Sequence, residues 1–395
     1  SKNGNYYLTN KKFTATTRVN VVNPEHNLAS VHLDYYTNTG LTYFYGPTTI
    51  TNSKNKNSIY SERGFYNTKT DISYFVKNAK LFLKERTIEG DSLYYDKNRG
   101  FASATNNIII KDTVENFLTK GNYAELFEFK DSLFIVDRAV AITIIDKDSM
   151  FVHGDTLLVT GIPEKRIIRT FNNVKIFKSD LQGKCDSIHT NQATGLTRMF
   201  KSPVIWADQN QITGDTIHLI TNVETEKLDS LKVLNNAFIN SKDSLSIADF
   251  NQIKGRNIFG KFKDNSIRTL LVKGNAESVY YNRNELGVLE SISKEISSTI
   301  EFTLFDGEIE TIKYLKTTEG KTYPPSKLPD HVKELKGFIW REEEQPKKMT
   351  DIFIKEGENK KTTKATKKLG PIKPMTTPKL DTNKELKGPI SIEKQ

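Results

Sequence analysis

Residues 88–112 read IEGDSLYYDKNRGFASATNNIIIKD, and this stretch decides the fold. It holds two runs of alternating apolar and polar residues, separated by the polar segment DKNRG. Branched and aromatic residues in such alternation are typical of β-strands, and Gly, Asn and Asp at the joints are typical of turns. The opening phrase recurs as VHGDTLLV at 152–159 and as ITGDTIHL at 212–219. The sequence therefore predicts that one structural unit is repeated along the chain.

The unit has a step of about thirty residues. When weaker copies are included, its glycine position falls at residues 61 (a serine), 90, 121, 154, 183 and 214, with steps of 29, 31, 33, 29 and 31. A second phrase, a polar pair followed by a small or branched residue and a strand, has steps of 29, 31, 35, 30, 33 and 39 between Ala79 and Ala276. Such regularity indicates repeats that stack on one another.

The predicted fold class is all-β, because the first 290 residues contain no capped amphipathic helix of ten or more residues. A right-handed parallel β-helix and a stacked antiparallel jelly roll are both consistent with a thirty-residue coil. The segment TIEFTLFDGEIETIKYL at 299–315 places Asp306-Gly307 between two alternating runs, which predicts a hairpin.

Three parts of the chain differ in composition. We expect residues 1–287 to form the repeats and residues 288–345 to form a β cap, because repeat arrays need a terminal unit to cover their last coil. Residues 346–395 are rich in Lys, Thr and Pro and poor in aromatic residues, which predicts a disordered tail. This tail has 13 Lys against six acidic residues, a net charge of +7 out of the +10 of the whole chain.

Composition also bounds the chemistry. Cys185 is the only cysteine, which excludes an internal disulfide framework. No apolar run reaches the roughly 20 residues of a transmembrane helix. The chain starts at Ser1 without a Met or an apolar leader, so we expect that a signal peptide has been removed or that sequence upstream is missing.

Motifs of catalysis, metal binding and nucleic-acid binding are missing from the sequence. There is no G-x-S-x-G, Walker or G-x-G-x-x-G motif, and the six histidines lack metal-ligand spacing. The Asp of the repeated Gly-Asp could suggest a row of cation ligands, but one carboxylate per coil is too few for Ca²⁺, and an Asx turn after a left-handed glycine is the simpler interpretation. The basic tail has no interleaved aromatic residues for stacking on bases. We therefore expect no cofactor, no metal and no nucleic-acid partner.

The repeat resembles the OstA/LptA family of lipopolysaccharide transport proteins, and more closely the OstA-like proteins of Bacteroidetes-type bacteria. The likeness lies in I-x-G-D-x-L-x-Y-D followed by N-N-I, in GPTTI at 46–50 followed by IYSERGFYNT and KNAKL, and in LKGFIWREEEQP at 335–346. It covers roughly residues 1–345. NGNYYLTN near the start resembles RGFYNTKT at 63–70, which suggests that further repeats precede Ser1.

The resemblance implies a taco-like β-jelly roll with an open apolar interior. It also implies a non-enzymatic protein of the periplasm and cell envelope that shelters the acyl chains of lipid A. Implied partners are lipopolysaccharide, other OstA/LptA-type jelly rolls or the outer-membrane lipopolysaccharide translocon. Self-association through edge strands is also expected, because an exposed sheet edge can pair with another chain.

Strand alternation predicts which side chains face the interior. The resemblance implies that these inward residues line a lipid-binding groove. They are Ala79, Leu81, Leu83, Leu93, Ile108, Ile110, Leu157, Val159, Val174, Ile176, Val204, Trp206, Ile217, Leu219, Ala237 and Ile239. Two alternatives remain at this point: a structural or adhesive cell-surface β-solenoid with a filled core, and a carbohydrate-active enzyme on a β-helix.

Overall fold

The computed structural model describes residues 1–355 apart from 55, 84, 113–116, 146–147, 163–164, 247, 265 and 306–307. By their contacts, residues 1–355 form one compact unit. The described strands are β1 Asn3–Tyr7, β2 Lys12–Val22, β3 His26–Tyr36, β4 Leu41–Asn52, β5 Ser58–Asn67, β6 Ile72–Phe82, β7 Arg86–Asp96, β8 Phe101–Asp112, β9 Phe117–Phe127, β10 Ser132–Val136, β11 Val140–Ile145, β12 Asp148–His153, β13 Thr156–Thr160, β14 Ile167–Phe177, β15 Leu181–Asn191, β16 Leu196–Phe200, β17 Val204–Ala207, β18 Asn210–Thr213, β19 Thr216–Thr221, β20 Leu228–Lys242, β21 Phe250–Lys263, β22 Ser266–Arg283, β23 Leu289–Phe305 and β24 Glu308–Tyr323.

Helical structure in the described residues is limited to short turns. They are the α-helical turn α1 Asp330–Lys333 and the 3₁₀ turns Glu128–Lys130, Gln192–Thr194, Pro325–Lys327, Glu342–Glu344 and Met349–Phe353. The prediction of an all-β fold is confirmed.

Strands that follow one another pair in antiparallel register, which decides between the two architectures left open by the sequence. Each of β2 to β8 pairs with the strand after it, and so does each of β20 to β23. A thirty-residue repeat is thus one strand out and one strand back. The stacked antiparallel arrangement is confirmed, and the parallel β-helix is wrong.

Every long strand is bent in the middle, where its pairing register shifts. In alternate strands the bend usually contains two successive residues with positive φ, for example Asn106-Asn107 in β8 and Asn235-Asn236 in β20. Left-handed backbone is costly for residues other than Gly, and Asn tolerates it best. The polar pair of the second phrase is therefore the bend itself.

The bends divide the sheet into two facing wings. Wing I contains the strand segments 3–7, 12–16, 32–36, 41–45, 63–67, 72–76, 92–96, 101–105, 123–127, 132–136, 156–160, 167–171, 187–191, 196–200, 216–221, 228–234, 257–263, 266–273, 299–305 and 308–315. Wing II contains 19–22, 26–30, 48–52, 58–61, 79–82, 86–89, 108–112, 117–121, 140–145, 148–153, 174–177, 181–184, 204–207, 210–213, 237–242, 250–254, 276–283, 289–297 and 318–323. The wings join at the bends, and their loops face each other on the opposite side, which we call the seam.

Two large apolar clusters fill the space between the wings, and a small one of Ala15, Val19 and Leu33 lies at the N-terminal strands. The first extends from Phe44 to Val159 and the second from Val174 to Phe302, and each combines residues of both wings. Inward side chains alternate with outward ones along every strand, as the pleat requires.

The chain after β24 returns along the outer face of wing II. Residues 328–355, here called the strap, cross from β22 back to β11. Gln252 donates to Lys333 O and accepts from Leu335 N, while Gln211 donates to Ile339 O and accepts from Arg341 N. The strap is thus tied to the sheet through its backbone.

The structure bears on the predicted parts of the chain in three places. β23 and β24 continue the sheet that residues 1–287 begin, and the turn residues Asp306-Gly307 between them lie outside the described residues. Packed chain continues past residue 346, since Ile352 is buried against Val140 and Ile142. The predicted tail from residue 356 onward lies outside the described residues, and its disorder stays a prediction.

Candidate lipid-binding cleft

Most of the residues predicted to face inward lie between the wings. Fourteen of the sixteen belong to the two interior clusters or pack against them. These are Ala79, Leu81, Leu83, Leu93, Ile108, Ile110, Leu157, Val159, Val174, Ile176, Ile217, Leu219, Ala237 and Ile239. Their role in binding a lipid stays a prediction.

Val204 and Trp206 are placed differently, and the inward orientation predicted for them is wrong. Ile205 belongs to the second interior cluster, so its neighbours Val204 and Trp206 point to the outer face of wing II. The reason is the bend, because the first residue after a positive-φ pair faces inward, as Val174 does after Asn172-Asn173. The residue that follows the pair Lys201-Ser202 is Pro203, so Pro203 and Ile205 take the inward positions that the sequence alignment had given to Val204 and Trp206.

Several large interior residues were missed, because they lie in strand halves that neither of the two repeated phrases covers. They include Phe44, Phe75, Ile135, Met199, Ile258 and Ile300, all fully or almost fully buried. The signal that could have found them is the pairing itself, because Phe75 lies opposite Leu93, which the first phrase did identify.

The repeated Gly-Asp has a different cause from the predicted Asx turn. None of Gly90, Gly154 and Gly214 has a positive φ. A Cβ at Gly214 would lie 2.5 Å from Val233 Cγ1, so glycine is required there by the close approach of the wings at the bend. The Asp accepts a side-chain hydrogen bond from an Asn of the neighbouring bend, as from Asn236 Nδ2 to Asp215 Oδ1 at 3.1 Å. The motif therefore fixes the bend.

A cleft opens between the wings on the seam side of the N-terminal strands. Its volume is about 120 Å³. Its floor is apolar, formed by Ile50, Ile59, Phe75, Leu81 and Leu83. Its rim is polar, formed by His26, Asn52, Asn57, Asp71, Lys97 and Glu128.

An ion pair crosses the rim of the cleft from one wing to the other. Lys97 Nζ of a wing I loop lies 3.1 Å from Glu25 Oε2 of a wing II loop, and both side chains are partly exposed. Burial, followed by the nearby Lys97 ammonium, lowers the pKa of His26. Burial, followed by donation of its hydroxyl to Asp71, raises the pKa of Tyr66. His26 and Tyr66 are therefore neutral at pH 7, and Lys97 and Glu25 contribute charge at the rim.

Deeper between the wings the packing is tighter. A second cavity, lined by Ile88, Leu93, Ala104, Ile110 and Leu126 among others, holds only about 20 Å³. That is room for about one water molecule. A larger guest can enter this part of the interior only if the two wings move apart.

Neither a metal-ligand cluster nor a membrane-spanning helix occurs among the described residues. Among them, no group of three or more His, Cys, Asp or Glu side chains is arranged to hold a metal ion. Within the same residues, no helix has the length and apolar character needed to cross a membrane. The one thiol, Cys185, is buried, and this burial raises its pKa to about 12.

The chain is similar to known proteins over part of its length. No curated protein sequence matches the chain. Among solved structures, the chain is similar to LptH of Pseudomonas aeruginosa, the LptA homologous periplasmic component of the conserved lipopolysaccharide transport device, at 16% identity and a TM-score of 0.25. That likeness covers 27% of this chain and 76% of LptH. The family model of the OstA-like protein matches residues 1–91, so the resemblance to OstA-like proteins is confirmed over that part of the chain.

Proposed function

We propose that this protein is a non-enzymatic component of lipopolysaccharide transport in the periplasm, which takes the acyl chains of lipid A between its wings and leaves the sugars in water. The cleft carries this proposal, because it combines an apolar floor with a polar rim. Strands β3 to β6, which supply much of it, lie within the OstA-like match over residues 1–91.

The energetics favour an interior that opens for its guest. Each CH₂ group removed from water is worth about 0.8 kcal/mol, so a lipid with several acyl chains gains strongly from an apolar lining. Separation of the wings exposes the inward side chains, but acyl chains that enter cover them again. An apolar contact between wings is thus replaced by an apolar contact with the guest, and the net cost is small.

Transport across an aqueous compartment also needs contact with other components. Among the described residues β24 pairs only with β23, so the other edge of Glu308–Tyr323 has backbone groups available for pairing. We propose that a second OstA/LptA-type jelly roll, the outer-membrane translocon or another copy of this chain adds a strand at this edge, as in β-augmentation.

Photo-cross-linking tests the cleft. A photoreactive residue at Leu81, which faces the interior, is expected to cross-link to purified lipopolysaccharide after irradiation. The matched control is Phe82, the next residue of the same strand, which points to the outer face and is 40% exposed. Equal labelling at Leu81 and Phe82, or no labelling at Leu81, would refute the proposal.

A second candidate is a structural β-solenoid with a filled core. The tight packing around the 20 Å³ cavity favours it. Under this alternative, Leu81 stays silent toward lipopolysaccharide at every concentration, whereas a lipid carrier gives saturable labelling. The same cross-linking experiment therefore decides between the two functions.

A further inference from the structure

A row of basic side chains crosses the outer face of wing I. Directly opposed positions of β14, β15, β16, β19 and β20 hold Arg169, His189, Arg198, His218 and Lys232, in that order across the sheet. Each of them has a sequence neighbour that belongs to an interior cluster or packs against one, so the five side chains point outward. Arg198 is exposed and the other four are half-buried. We call these five residues the basic strip.

The basic strip is not neutralised by any carboxylate of the described residues. Arg169, Arg198 and Lys232 form no ion pair there, and Arg169 Nη1 donates instead to Thr160 Oγ1 at 3.2 Å. The two flanking rows of the same five strands also contain no Asp or Glu. They are Phe171, Ser187, Phe200, Thr216 and Leu234 toward the bend, and Ile167, Asn191, Leu196, Ile220 and Ser230 toward the seam. The strip is thus a charged line on an otherwise uncharged surface.

Other basic residues of the sheet are paired with a carboxylate of the neighbouring strand. Lys80 Nζ lies 3.1 Å from Glu89 Oε2, and Lys254 Nζ lies 2.9 Å from Glu277 Oε1. In both cases the carboxylate belongs to the register partner of the lysine. Opposite charges in opposed positions stabilise a sheet, whereas like charges destabilise it. A strip that lacks such partners therefore favours an anion that is supplied by a ligand.

The two histidines of the strip report the same electrostatic environment. Burial, followed by the guanidinium groups of Arg169 and Arg198, lowers the pKa of His189. Burial, followed by the charges of Arg198 and Lys232, lowers the pKa of His218. Both imidazoles are therefore neutral at pH 7, and the strip carries three fixed positive charges on alternate strands.

The spacing of these charges and their distance from the seam are set by the sheet. Neighbouring strands lie about 4.8 Å apart, so the three charges follow one another at steps of about 10 Å along the stack. Strands β14 and β16 start at the seam, and Arg169 and Arg198 are the third residues of these strands. At about 3.4 Å per residue, the strip lies within about 10 Å of the seam. Polar parts of a guest that leave the seam can therefore reach it.

Aromatic rings lie beside the charges. The ring of His189 packs edge-on against Phe171 and Phe200, with centroid distances of 5.6 and 5.1 Å. Apolar ring faces next to cations suit a sugar, which has apolar C–H faces and can carry anionic groups. Arginine also binds phosphate and carboxylate groups through paired hydrogen bonds.

The backbone of these strands is not available to a polypeptide partner. Each of the five strands is paired on both of its edges. A peptide therefore cannot add to them by β-augmentation and would contact side chains alone. Together with the rings and the distance to the seam, this favours an anionic saccharide over an acidic protein.

We propose that the basic strip binds the anionic sugars of the lipopolysaccharide molecule whose acyl chains lie between the wings. This inference rests on the proposed function and adds to it the place where the sugar part of the guest lies. Phosphate and carboxylate groups of the sugars accept hydrogen bonds from Arg169, Arg198 and Lys232. The C–H faces of the sugars contact the rings of Phe171 and Phe200.

The test measures binding of a fluorescently labelled lipopolysaccharide from which all acyl chains have been removed. Because this probe has no acyl chains, its binding does not depend on the cleft. The full chain is titrated at physiological ionic strength and the anisotropy of the probe is recorded. The combined variant Arg169→Gln, Arg198→Gln and Lys232→Gln should bind the probe at least about tenfold more weakly, because three exposed or half-exposed ion pairs are lost. Neutral dextran should not bind to the unmodified chain.

The matched control removes three other positive charges. Lys11, Lys111 and Lys120 are exposed and lie outside the strip. The combined variant Lys11→Gln, Lys111→Gln and Lys120→Gln should keep the affinity within about twofold, since distant exposed charges are screened by salt. Equal affinities of the two triple variants for the probe would overturn the proposal.

A single charge reversal covers the case in which the triple variant of the strip does not fold. Arg198 is exposed, so its substitution leaves the packing intact. Arg198→Glu should weaken binding of the probe more than Arg198→Gln does, because it adds repulsion to the lost attraction. An affinity of Arg198→Glu equal to that of the unmodified chain would overturn the proposal.

Two further probes test the identity of the ligand. If poly-glutamate, or vesicles that contain phosphatidylglycerol, compete with the labelled sugar at equal charge concentration, the strip is a site for an acidic protein or for a membrane surface, and the assignment to sugars is wrong. Absence of competition by both supports the assignment.

Failure of this inference can be told apart from failure of the proposed function. Cross-linking at Leu81 together with equal affinities of the two triple variants would refute the role of the strip and leave the lipid carrier. Binding of the deacylated probe to the strip without cross-linking at Leu81 would refute the lipid carrier and leave a site for anionic sugars.

Discussion

The outer face of wing II is bare in the N-terminal strands and covered by the strap in the C-terminal ones. In the bare part, Phe82 and Ile109 are 40% and 37% exposed. In the covered part, Phe238, Val279, Tyr281 and Ile292 are buried together with Leu335 of the strap. One repeated strand pair thus gives two different environments. The covered part has apolar layers on both of its faces, whereas the bare part has one.

The bends at Gly90, in the bare part, and at Gly214, in the covered part, also differ. In the C-terminal region, a Cβ at Gly214 would meet Val233 Cγ1 at 2.5 Å, whereas at Gly90 the nearest atom, Ser92 O, is 3.4 Å away. Both glycines belong to the same I-x-G-D phrase. The wings therefore approach more closely at the bend of Gly214 than at the bend of Gly90. We expect the strap to make the C-terminal region harder to open than the N-terminal region, which holds the cleft.

The strongest test of this comparison removes the apolar anchor of the strap. Leu335 is 2% exposed, and Leu335→Ala should lower the free energy of unfolding by about 2–5 kcal/mol, because it leaves a cavity between strap and sheet. Denaturation in urea measures the effect. Leu286→Ala is the matched control, since Leu286 is 88% exposed and its truncation should change stability by less than about 0.5 kcal/mol. Equal effects of the two substitutions would mean that the strap adds little.

The next test concerns the two bends. Gly214→Ala should cost about 1–3 kcal/mol, because the added methyl group overlaps Val233 and the wings must move apart. Gly90→Ala meets only ordinary contacts and should change stability by less than about 1 kcal/mol in either direction. Thermal unfolding of the two variants compares them directly. A cost at Gly90 as large as that at Gly214 would remove the difference between the regions.

A smaller effect is expected where the regions are alike. Asn107 and Asn236 both have positive φ, and each donates to the Asp of a neighbouring strand. Replacement of either by Ala should cost about 1 kcal/mol, because alanine is strained in left-handed backbone. Asn→Gly at the same position also removes the hydrogen bond but avoids the backbone strain. The difference between the Ala and Gly variants therefore gives the cost of the strain. Unequal costs for Asn107→Ala and Asn236→Ala would show that the bends differ in more than packing.

The repeat, the strands and the inward faces could be predicted because they depend on local pattern. Alternation and a thirty-residue step define one bent strand pair, so fourteen of the sixteen inward positions agree with the interior clusters. The predictions for Val204 and Trp206 were wrong because the positive-φ pair before a strand decides which of its residues face inward. The Gly of the Gly-Asp phrase was misinterpreted because neither Gly90 nor Gly214 has a positive φ. The need for glycine at Gly214 arises from the approach of Val233 in the other wing, which local sequence does not contain.

The strap depends on contacts between residues that lie far apart in the chain, such as Leu335 with Gln252 and Ile352 with Val140, and a search for short repeated phrases does not find such contacts. One signal was nevertheless present. His153, Gln182, Gln211 and Asn240 follow one another at steps of 29 residues, and all four are buried on the outer face of wing II. Polar residues at the period of the repeat, on a face that would otherwise be solvated, predict that another part of the chain covers them, because buried amides are almost always hydrogen-bonded.

The last prediction uses acid to weaken the ion pairs that Glu344 makes in the strap. Glu344 of the strap accepts from Arg341 and pairs with Lys184 of β15, and these contacts lower its pKa from 4.5 to about 2. Because the folded-state pKa lies below the unfolded one, the stabilisation is present above about pH 4.5 and is lost as pH falls toward 2. Its size should stay below about 1 kcal/mol, since the carboxylate is about a third exposed and solvent screens it.

Pepsin cleavage between residues 340 and 355, followed by mass spectrometry from pH 4.5 to pH 2, measures this release. Glu344→Gln should be cleaved more readily at pH 4.5 and should show a weaker pH dependence, because its amide cannot be protonated in this range. If Glu344→Gln and the unmodified chain have the same pH profile, other carboxylates control the strap. The ion pairs of Glu344 would then contribute nothing to the difference between the covered and the bare region, which would depend on Leu335 and the buried amides.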